Sequence, residues 1–421
     1  MKKDLIFVLY GSTGDLTFRK LLPAITTLYN TEKIPEKTLV LALGRRDFNT
    51  KTYLDFLKNN NENLEFNVLE NITKYHKMQI TDQADYSGLK EVIEEHANDT
   101  TKVIHYLAVA PDLMKDVSHY LSSEKVIEKG NINQSLIFEK PFGSNYHSAH
   151  QINEDLWTKF EEKQIYRIDH YLGKKLVKSI LDLRFNNSFL STLIAPHNVD
   201  NIKIYAKEES GILNRGGFYD TNGATRDMFQ SHLLQIVALL TMANPKSTEA
   251  DAIINEKVKV FKRLKFDNSN IIFGQYKGYL NEDKVAVNSL TETMLAITLF
   301  VKNKFKKVPI RVVTGKMMFD KKTYIEYVLK DQTIVRLDFA PKPRIQVTSS
   351  LLGDKIDIKH EFDNDNNEYS SLLLAAYMNQ KEVFVRFDEV EQSWKFVDEV
   401  LKSKHELLIY NEKTLKNMEE L

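Results

Sequence analysis

Eight consecutive residues in the first half of the chain combine four different functional groups. The segment Arg167-Ile168-Asp169-His170-Tyr171-Leu172-Gly173-Lys174 offers a carboxylate, an imidazole, a phenol and an ammonium. Cationic and hydroxyl groups together can bind a phosphate, which leaves one carboxylate for other chemistry. This segment is therefore the first candidate site.

A second candidate lies where apolar spacing predicts one long helix over Gly223–Met242. His232 falls beside the apolar stripe of this helix, with Gln235 on the same side. At about 100° per residue, Asp227 and His232 would be roughly 140° apart and would flank a ligand rather than touch. A histidine at such a position is either a general base or a hydrogen-bonded core residue, and the spacing leaves both interpretations open.

Two further patterns favour a dinucleotide site. The turn Gly11-Ser12-Thr13-Gly14-Asp15-Leu16 joins an apolar run to a helix, so its backbone N–H groups can receive phosphates, although a tight strand-to-helix turn would look the same. Arg45 and Arg46 follow the second apolar run, where an arginine pair suits the 2′-phosphate of NADP unless it is a solvated basic turn. Lys140, in Glu139-Lys140-Pro141-Phe142-Gly143, should lie at the same sheet edge, and its peptide to Pro141 can be cis.

Parallel βαβ units are indicated for the first 140 residues, because short apolar runs alternate there with helical patterns. The predicted strands are Leu5–Leu9, Leu39–Leu43, Val103–Ala108 and Ser135–Phe138. The predicted helices are Leu16–Tyr29, Lys51–Asn59, Ala84–His96 and Asp112–Lys129. Such a pattern predicts a Rossmann dinucleotide-binding domain, which we assign to residues 1–175.

Period-two patterns after about residue 180 predict a mostly antiparallel sheet with helices. Its predicted strands are Ile202–Ala206, Glu292–Val301, Tyr324–Leu329, Thr333–Phe339 and Lys355–Glu361. Two helices, about Tyr369–Met378 and Asp388–Lys402, show only packing patterns. We assign residues 176–421 to a β+α domain for substrate binding and oligomerisation, so the fold class is α/β plus α+β.

Composition excludes several classes of protein. The 421 residues contain 58 basic and 58 acidic side chains and no cysteine, so thiol nucleophiles, disulfides and Cys-ligated metals are excluded. A neutral chain without a basic stripe does not favour nucleic acid or a membrane as partner. No apolar run is long enough to span a bilayer, and we expect a cytoplasmic protein.

In this order and at these separations, the motifs strongly resemble glucose-6-phosphate dehydrogenase. The match includes the GxxGDL turn with Arg19-Lys20-Leu21, EKPFG, RIDHYLGK and GGFYDTNGATRDMFQSHLLQ, and extends to residues 308–316 and 384–394. The resemblance implies oxidation of β-D-glucose 6-phosphate at C1 to the 6-phosphogluconolactone, with hydride transfer to NADP, NAD being an alternative acceptor. It implies no metal, and a homodimer or homotetramer.

The resemblance also implies a role for each site residue. His232 would be the general base and Asp169 the carboxylate that orients it. The implied substrate-binding residues are His170, Tyr171, Lys174, Lys140, Glu208, Asp227, Lys316 and Lys321. The implied cofactor-binding residues are Gly11, Ser12, Thr13, Gly14, Asp15, Leu16, Lys20, Arg45, Arg46 and Lys140, with Tyr106 to Pro111 along the nicotinamide channel.

Two alternatives stay open. A polyol or sugar dehydrogenase acting on an unphosphorylated substrate would also use a lysine before proline and a downstream histidine. A catalytically silent NADPH-binding regulatory protein is suggested by two departures from the family pattern: Ser231 stands where Asn is usual before the base, and Lys175 stands where Glu is usual after the phosphate-binding lysine.

Overall fold

The chain divides into two compact units. The structure is a computed structural model and describes residues 3–339, 342–349, 355–360, 362, 367–404 and 406–416. Within these ranges, the first unit comprises the chain up to 143 together with 147–173 and 367–387. The second unit comprises 144–146, the described residues from 174 to 362, and 388–416.

Strands make up a six-stranded sheet in the first unit and a nine-stranded sheet in the second. The first sheet contains β1 (Leu5–Tyr10), β2 (Thr38–Gly44), β3 (Thr73–Lys77), β4 (Lys102–Leu107), β5 (Gln134–Phe138) and β6 (Ile165–Arg167). The second contains β7 (Val199–Lys207), β8 (Leu264–Tyr276), β9 (Met294–Val301), β10 (Ile310–Gly315), β11 (Lys322–Leu329), β12 (Ile334–Asp338), β13 (Arg344–Thr348), β14 (Lys355–Asp357) and β15 (Leu407–Tyr410).

Helices connect and cover these strands. They are α1 (Leu22–Asn30), α2 (Thr50–Asn60), α3 (Phe66–Ile72), α4 (Asp85–His96), α5 (Met114–Ser123), α6 (Tyr146–Lys159), α7 (Lys175–Phe185), α8 (Ser188–Leu193), α9 (Gly216–Ala224), α10 (Leu234–Thr241), α11 (Ala250–Phe261), α12 (Glu368–Met378), α13 (Phe387–Lys402) and α14 (Glu412–Lys416). Thr17–Leu21 and Thr225–Leu233 are wider helical segments with i→i+5 hydrogen bonds, which run directly into α1 and α10.

The first sheet is fully parallel, with the strand order β3-β2-β1-β4-β5-β6. Alternate residues of β1 face opposite sides: Leu5, Phe7 and Leu9 join the core under α1, α2, α3 and α12, whereas Ile6 and Val8 join the core under α4, α5 and α6. Burial on both faces explains why β1 is an unbroken apolar run. This strand order is that of the Rossmann fold, which confirms the predicted fold class of the first unit.

The second sheet has the order β14-β13-β12-β11-β7-β10-β9-β8-β15. Most neighbours are antiparallel, as expected, but β10 pairs with β7 and β15 pairs with β8 in parallel. The pairing of β7 with β10 joins residues about 200 and 310, so both strands end at the same edge of the sheet. Period-two patterning alone does not report strand direction.

Three sequence-based boundaries were wrong. The helix expected over Asp112–Lys129 ends at Ser123, because Lys125 adopts a positive φ of 53°. The strand expected over Lys355–Glu361 spans only Lys355–Asp357, and Glu361 lies outside the described residues. The helix expected over Gly223–Met242 begins only at Thr225, because Gly223, inside α9, departs from helical backbone angles with a φ of 66°.

A late segment of the chain completes the first unit. Leu372 and Leu373 of α12 are fully buried in the same core as β1 and α1. The amphipathic pattern of this helix gave no indication of which sheet it covers. The proposed domain division at residues 175 and 176 stays a prediction, and this return of the chain is an additional feature of the structure.

Candidate active site

The loop Gly11–Leu16, called the phosphate loop here, leaves the carboxyl end of β1. Gly11 has a φ of 77°, and a Cβ there would lie 2.4 Å from the Ala108 carbonyl oxygen, so only glycine fits. Gly14 N–H donates to the Gly11 carbonyl at 2.9 Å and closes the turn. The Ser12 hydroxyl is buried and has no hydrogen-bond partner among the described residues. A glycine turn at the end of a parallel strand and an unsatisfied hydroxyl fit the phosphates of a dinucleotide.

Arg45 and Arg46 are exposed at the end of β2. The Arg46 guanidinium lies 4.6 Å from the centroid of the Phe56 ring and 5.9 Å from that of Phe48. The Arg46 carbonyl accepts a hydrogen bond from the Tyr75 hydroxyl at 2.9 Å. These contacts fix the turn, so two cations are available for the 2′-phosphate of a bound NADP.

Lys140 follows Glu139, whose carboxylate accepts hydrogen bonds from two tyrosine hydroxyls. The Tyr106 hydroxyl donates to Glu139 Oε1 at 2.5 Å, and the Tyr369 hydroxyl of α12 donates to the same carboxylate. Burial raises the pKa of Glu139 above its usual range, although both phenols and Lys140 oppose that rise. The peptide between Lys140 and Pro141 is cis, as the sequence allowed. Glu139 and Tyr369 were not predicted, because neither lies in a recognisable pattern with the other.

The next candidates follow β6. Asp169 is 1% exposed, and its Oδ1 accepts a hydrogen bond from the backbone N–H of Tyr171 at 3.0 Å. This turn sets His170 and Tyr171 side by side, with ring centroids 5.2 Å apart. The neighbouring Arg167 is structural instead, because its buried guanidinium binds Glu162 at 2.6 Å and Asn153 at 2.8 Å.

The start of helix α12 contacts Gly173 and Lys20 within the first unit. A Cβ on Gly173 would lie 2.7 Å from the Glu368 carbonyl oxygen, so only glycine permits α12 to pack there. Lys20 Nζ lies 3.5 Å from the Glu368 carboxylate. The Lys20 carbonyl accepts a hydrogen bond from Asn367 Nδ2 at 3.1 Å. Thus Lys20 is held by α12 as well as by its own helix.

In the second unit, the structure brings Glu208 and Lys316 together. They follow β7 and β10, the parallel neighbours, and Lys316 Nζ lies 2.6 Å from Glu208 Oε1. Glu208 N–H donates to the Gly315 carbonyl at 3.0 Å, which locks the two strand ends. An ammonium and a carboxylate side by side can both hydrogen-bond sugar hydroxyls.

Asp227 and His232 belong to Thr225–Leu233, called the wide helix here. Both side chains are buried, at 7% and 1% exposure. Because each hydrogen bond in this helix spans five residues, Asp227 and His232 lie one turn apart on the same side. The expectation of roughly 140° between them was wrong, since it assumed the 3.6-residue α-helical turn. Arg215, which sequence reasoning missed, lies 3.7 Å from Asp227 Oδ1.

The remaining candidates differ in their surroundings. Lys174 precedes α7, and its Nζ lies 5.9 Å from the Phe339 ring centroid. Lys321 is exposed in the turn before β11. Ser231 lies in the wide helix and Lys175 begins α7.

Within the described residues, no three His, Asp or Glu side chains gather as metal ligands. None of the helices in the described part of the chain has the length and apolar character that a membrane crossing requires.

A Rossmann sheet with a phosphate loop, joined to a mixed-sheet unit that carries acid–base side chains, defines a nicotinamide-dependent oxidoreductase. Two family models match the chain: the glucose-6-phosphate dehydrogenase NAD binding domain over residues 8–179, and the glucose-6-phosphate dehydrogenase C-terminal domain over 181–347 and 334–419. The chain belongs to the glucose-6-phosphate dehydrogenase family.

Relatives and solved structures agree with this assignment. Glucose-6-phosphate 1-dehydrogenase of Streptococcus pneumoniae is 30% identical, over 96% of this chain and 90% of that protein. The Rhizobium meliloti enzyme is 32% identical, over 94% and 90%. A solved glucose-6-phosphate dehydrogenase in complex with its substrate glucose-6-phosphate superposes with a TM-score of 0.88 at 27% identity, over 98% of this chain and 95% of that one.

The protein is therefore an NADP-dependent oxidoreductase that oxidises glucose 6-phosphate, the first step of the oxidative pentose phosphate pathway. This assignment favours the main interpretation of the sequence over a polyol dehydrogenase or a silent regulatory protein.

Proposed function

We propose that His232 is the general base of this reaction and that Asp169 is the carboxylate that orients it. The base removes the proton of the C1 hydroxyl while the C1–H bond breaks with its electron pair, which leaves 6-phospho-D-glucono-1,5-lactone. The observation that carries this proposal is the wide helix, which buries an imidazole on the same side as the Asp227 carboxylate. A carboxylate beside the base can hold a sugar hydroxyl while the base acts on C1.

NADP, when bound, supplies the carbon that accepts the hydride. We assign its phosphates to the phosphate loop, from Gly11 to Leu16, and its 2′-phosphate to Arg45 and Arg46. Lys20 and Lys140 complete this side. The glycine turn at the carboxyl end of β1 and the unsatisfied Ser12 hydroxyl support this assignment.

The substrate's phosphate is assigned to His170, Tyr171 and Lys174, whose imidazole, phenol and ammonium can donate hydrogen bonds to it. Sugar hydroxyls are assigned to Glu208, Asp227, Lys316 and Lys321, with Lys140 near the reacting carbon. Phosphate binding remote from C1 supplies energy that fixes the sugar for reaction, so free glucose should be a poor substrate.

The test is NADP reduction by the purified protein, followed by absorbance, with glucose 6-phosphate or glucose. We expect His232→Asn to lower kcat by about 10⁴-fold while NADPH still binds, because the base is lost and the cofactor unit is intact. His96→Asn, at the exposed end of α4, is the matched control and should leave kcat unchanged. Equal rates with glucose would contradict the phosphate assignment.

For partners and compartment, the proposal is a cytoplasmic homodimer or homotetramer. The resemblance to a family whose members are usually dimers supports the oligomer. Light scattering of the purified protein measures the mass directly, and a species near the chain mass of 48.9 kDa would contradict the proposal.

A further inference from the structure

The wide helix begins from a backbone conformation that glycine alone adopts without strain. Gly223 has a φ of 66° and a ψ of 177°. A Cβ at this position would lie 2.6 Å from Glu292 Oε1 and 2.8 Å from its carboxyl carbon. The absence of a side chain therefore allows a carboxylate to approach the start of the helix.

Glu292 occupies that space. It is 2% exposed and precedes β9 by two residues. Its Oε1 accepts a hydrogen bond from Thr225 N–H at 3.2 Å, and its carbonyl oxygen accepts from Ala224 N–H at 2.9 Å. The first N–H groups of a helix have no partner within the helix, and a negative charge there is favourable. Glu292 thus satisfies two of these donors from a neighbouring sheet.

Lys404 compensates the buried carboxylate. Its Nζ lies 2.6 Å from Glu292 Oε2 and also donates to the Leu290 carbonyl at 2.6 Å. A buried carboxylate without a partner is strongly unfavourable, so this ion pair offsets the cost of burying Glu292. Lys404 follows α13, which also contacts the wide helix through a hydrogen bond from Gln230 to Ser393 at 2.9 Å.

Helices with i→i+5 hydrogen bonds are rare and are found mostly as single turns, so a nine-residue segment needs anchors. The register of this helix decides where Asp227 and His232 lie, two and seven residues after Thr225. A shift of one position at the start would rotate both side chains away from their present side.

We propose that Glu292, held by Lys404, is a positioning residue for the dehydrogenase reaction: it fixes the register of the wide helix and so the place of Asp227 and His232. The inference rests on the proposed roles of those two residues. Glu292 does not touch the substrate, but a displacement of about 1 Å at a reacting group can cost about 10²-fold in rate.

The test compares two double variants that both remove the buried charges. Glu292→Gln/Lys404→Met keeps an oxygen acceptor for Thr225 N–H, whereas Glu292→Met/Lys404→Met has a similar side-chain volume and no acceptor. We expect the glutamine variant to keep kcat within about threefold of the parent, and the methionine variant to lose at least about tenfold. Values of kcat are expressed per NADPH-binding site, titrated by fluorescence, so unfolded protein is not counted.

Lys402→Met, on an exposed lysine of the same helix end, is the control and should behave as the parent. If both double variants have equal kcat per NADPH site, Glu292 is only structural and the inference is overturned. A parent protein that reduces no NADP with glucose 6-phosphate would instead contradict the proposed function, so the two failures are distinguishable.

Discussion

Glu139 shows how much a single side chain of a motif can depend on distant residues. Tyr106 lies 33 residues before it and donates at 2.5 Å, and Tyr369 lies on a helix 230 positions later. Because Glu139 adjoins Lys140, these phenols fix the backbone that carries the lysine. Glu139, the residue of EKPFG without a predicted role, therefore supports Lys140, the residue with one.

Selectivity for NADP should depend on the arginine pair. We expect Arg45→Ala and Arg46→Ala each to raise the KM for NADP about 10- to 100-fold, because each removes a charge-assisted hydrogen bond to the 2′-phosphate. Rates with NAD should change little. Arg46→Ala should also lower the melting temperature, since it removes the contacts with Phe48 and Phe56.

Lys58→Ala, on an exposed lysine of α2, provides the charge-matched control. Steady-state kinetics with NADP and with NAD measure the two KM values. An equal loss of affinity for NAD and NADP would show that the pair does not read the 2′-phosphate.

At this scale, the sequence predicted the residues whose signal is local. Gly11, Lys140 and Asp169 each belong to a short pattern next to a strand end, and the structure puts them there. Glu139, Tyr369 and Glu292 could not be found in the same way, because their partners are brought to them only by the folded chain.

Among the elements, apolar runs predicted the buried strands to within two residues, whereas the wide helix and the weaker strands were missed. β3 has the sequence TKYHK and lies at the sheet edge, so no apolar run marks it. The i→i+5 bonding of Thr225–Leu233 depends on anchors such as Glu292, which no local spacing reveals.

The carbonyl groups at the end of helix α12 accept hydrogen bonds from a buried lysine of β4. Lys102 Nζ donates to the Ala376 carbonyl at 2.8 Å and the Tyr377 carbonyl at 3.0 Å, and also to Asn379 Oδ1. Burial lowers the pKa of Lys102 to about 8. Between about pH 8 and 10.5 the unfolded chain keeps a proton that the folded protein has released, so Lys102 makes stability rise with pH in this window.

We therefore expect the free energy of unfolding of the parent, relative to Lys102→Met, to increase by about 1–3 kcal/mol from pH 7 to pH 10. Urea unfolding at several pH values, followed by circular dichroism, measures this difference. Lys90→Met, at a half-buried lysine of α4, should show no such change. A constant difference would mean that Lys102 titrates as in the unfolded chain, and a falling difference would mean that folding raises its pKa; either result would contradict the prediction.

The contact between Gly173 and α12 gives a second test of this element. Gly173→Ala should destabilise the protein by about 1–3 kcal/mol, because its Cβ would meet the Glu368 backbone at 2.7 Å. Gly88→Ala is the matched control within α4, where the nearest atom is 4.0 Å away. It should stabilise by about 0.5–1 kcal/mol through the lower entropy of the unfolded chain. Relative to the parent, the melting temperature should therefore fall for Gly173→Ala and rise for Gly88→Ala.

At the scale of the whole molecule, the chain contributes to the first unit, leaves it and returns. Residues 367–387 rejoin it after the described strands of the second sheet up to β14. The sequence predicted the Rossmann sheet and the mostly antiparallel sheet correctly, but the pattern of an amphipathic helix does not indicate which sheet the helix will cover. Long-range assignment of α12 therefore required the structure.

A fragment of residues 1–175 tests the proposed domain division. We expect it to be poorly folded and to bind NADPH weakly, because it lacks Leu372 and Leu373, each worth about 1.5–3 kcal/mol of burial. Adding a peptide of residues 365–387 should restore NADPH fluorescence, whereas a peptide with both leucines replaced by serine should not. Full cofactor binding by the fragment alone would contradict this expectation.

The late position of α12 in the chain also delays completion of the first unit during synthesis. A ribosome adds about 5–20 residues per second, so roughly 10–40 s separate the emergence of the first 173 residues from that of α12. During this interval the sheet face that α12 covers is exposed and open to chaperones or to other nascent chains. We expect the nascent first unit to need protection until its last helix arrives, even though its six strands are all made early.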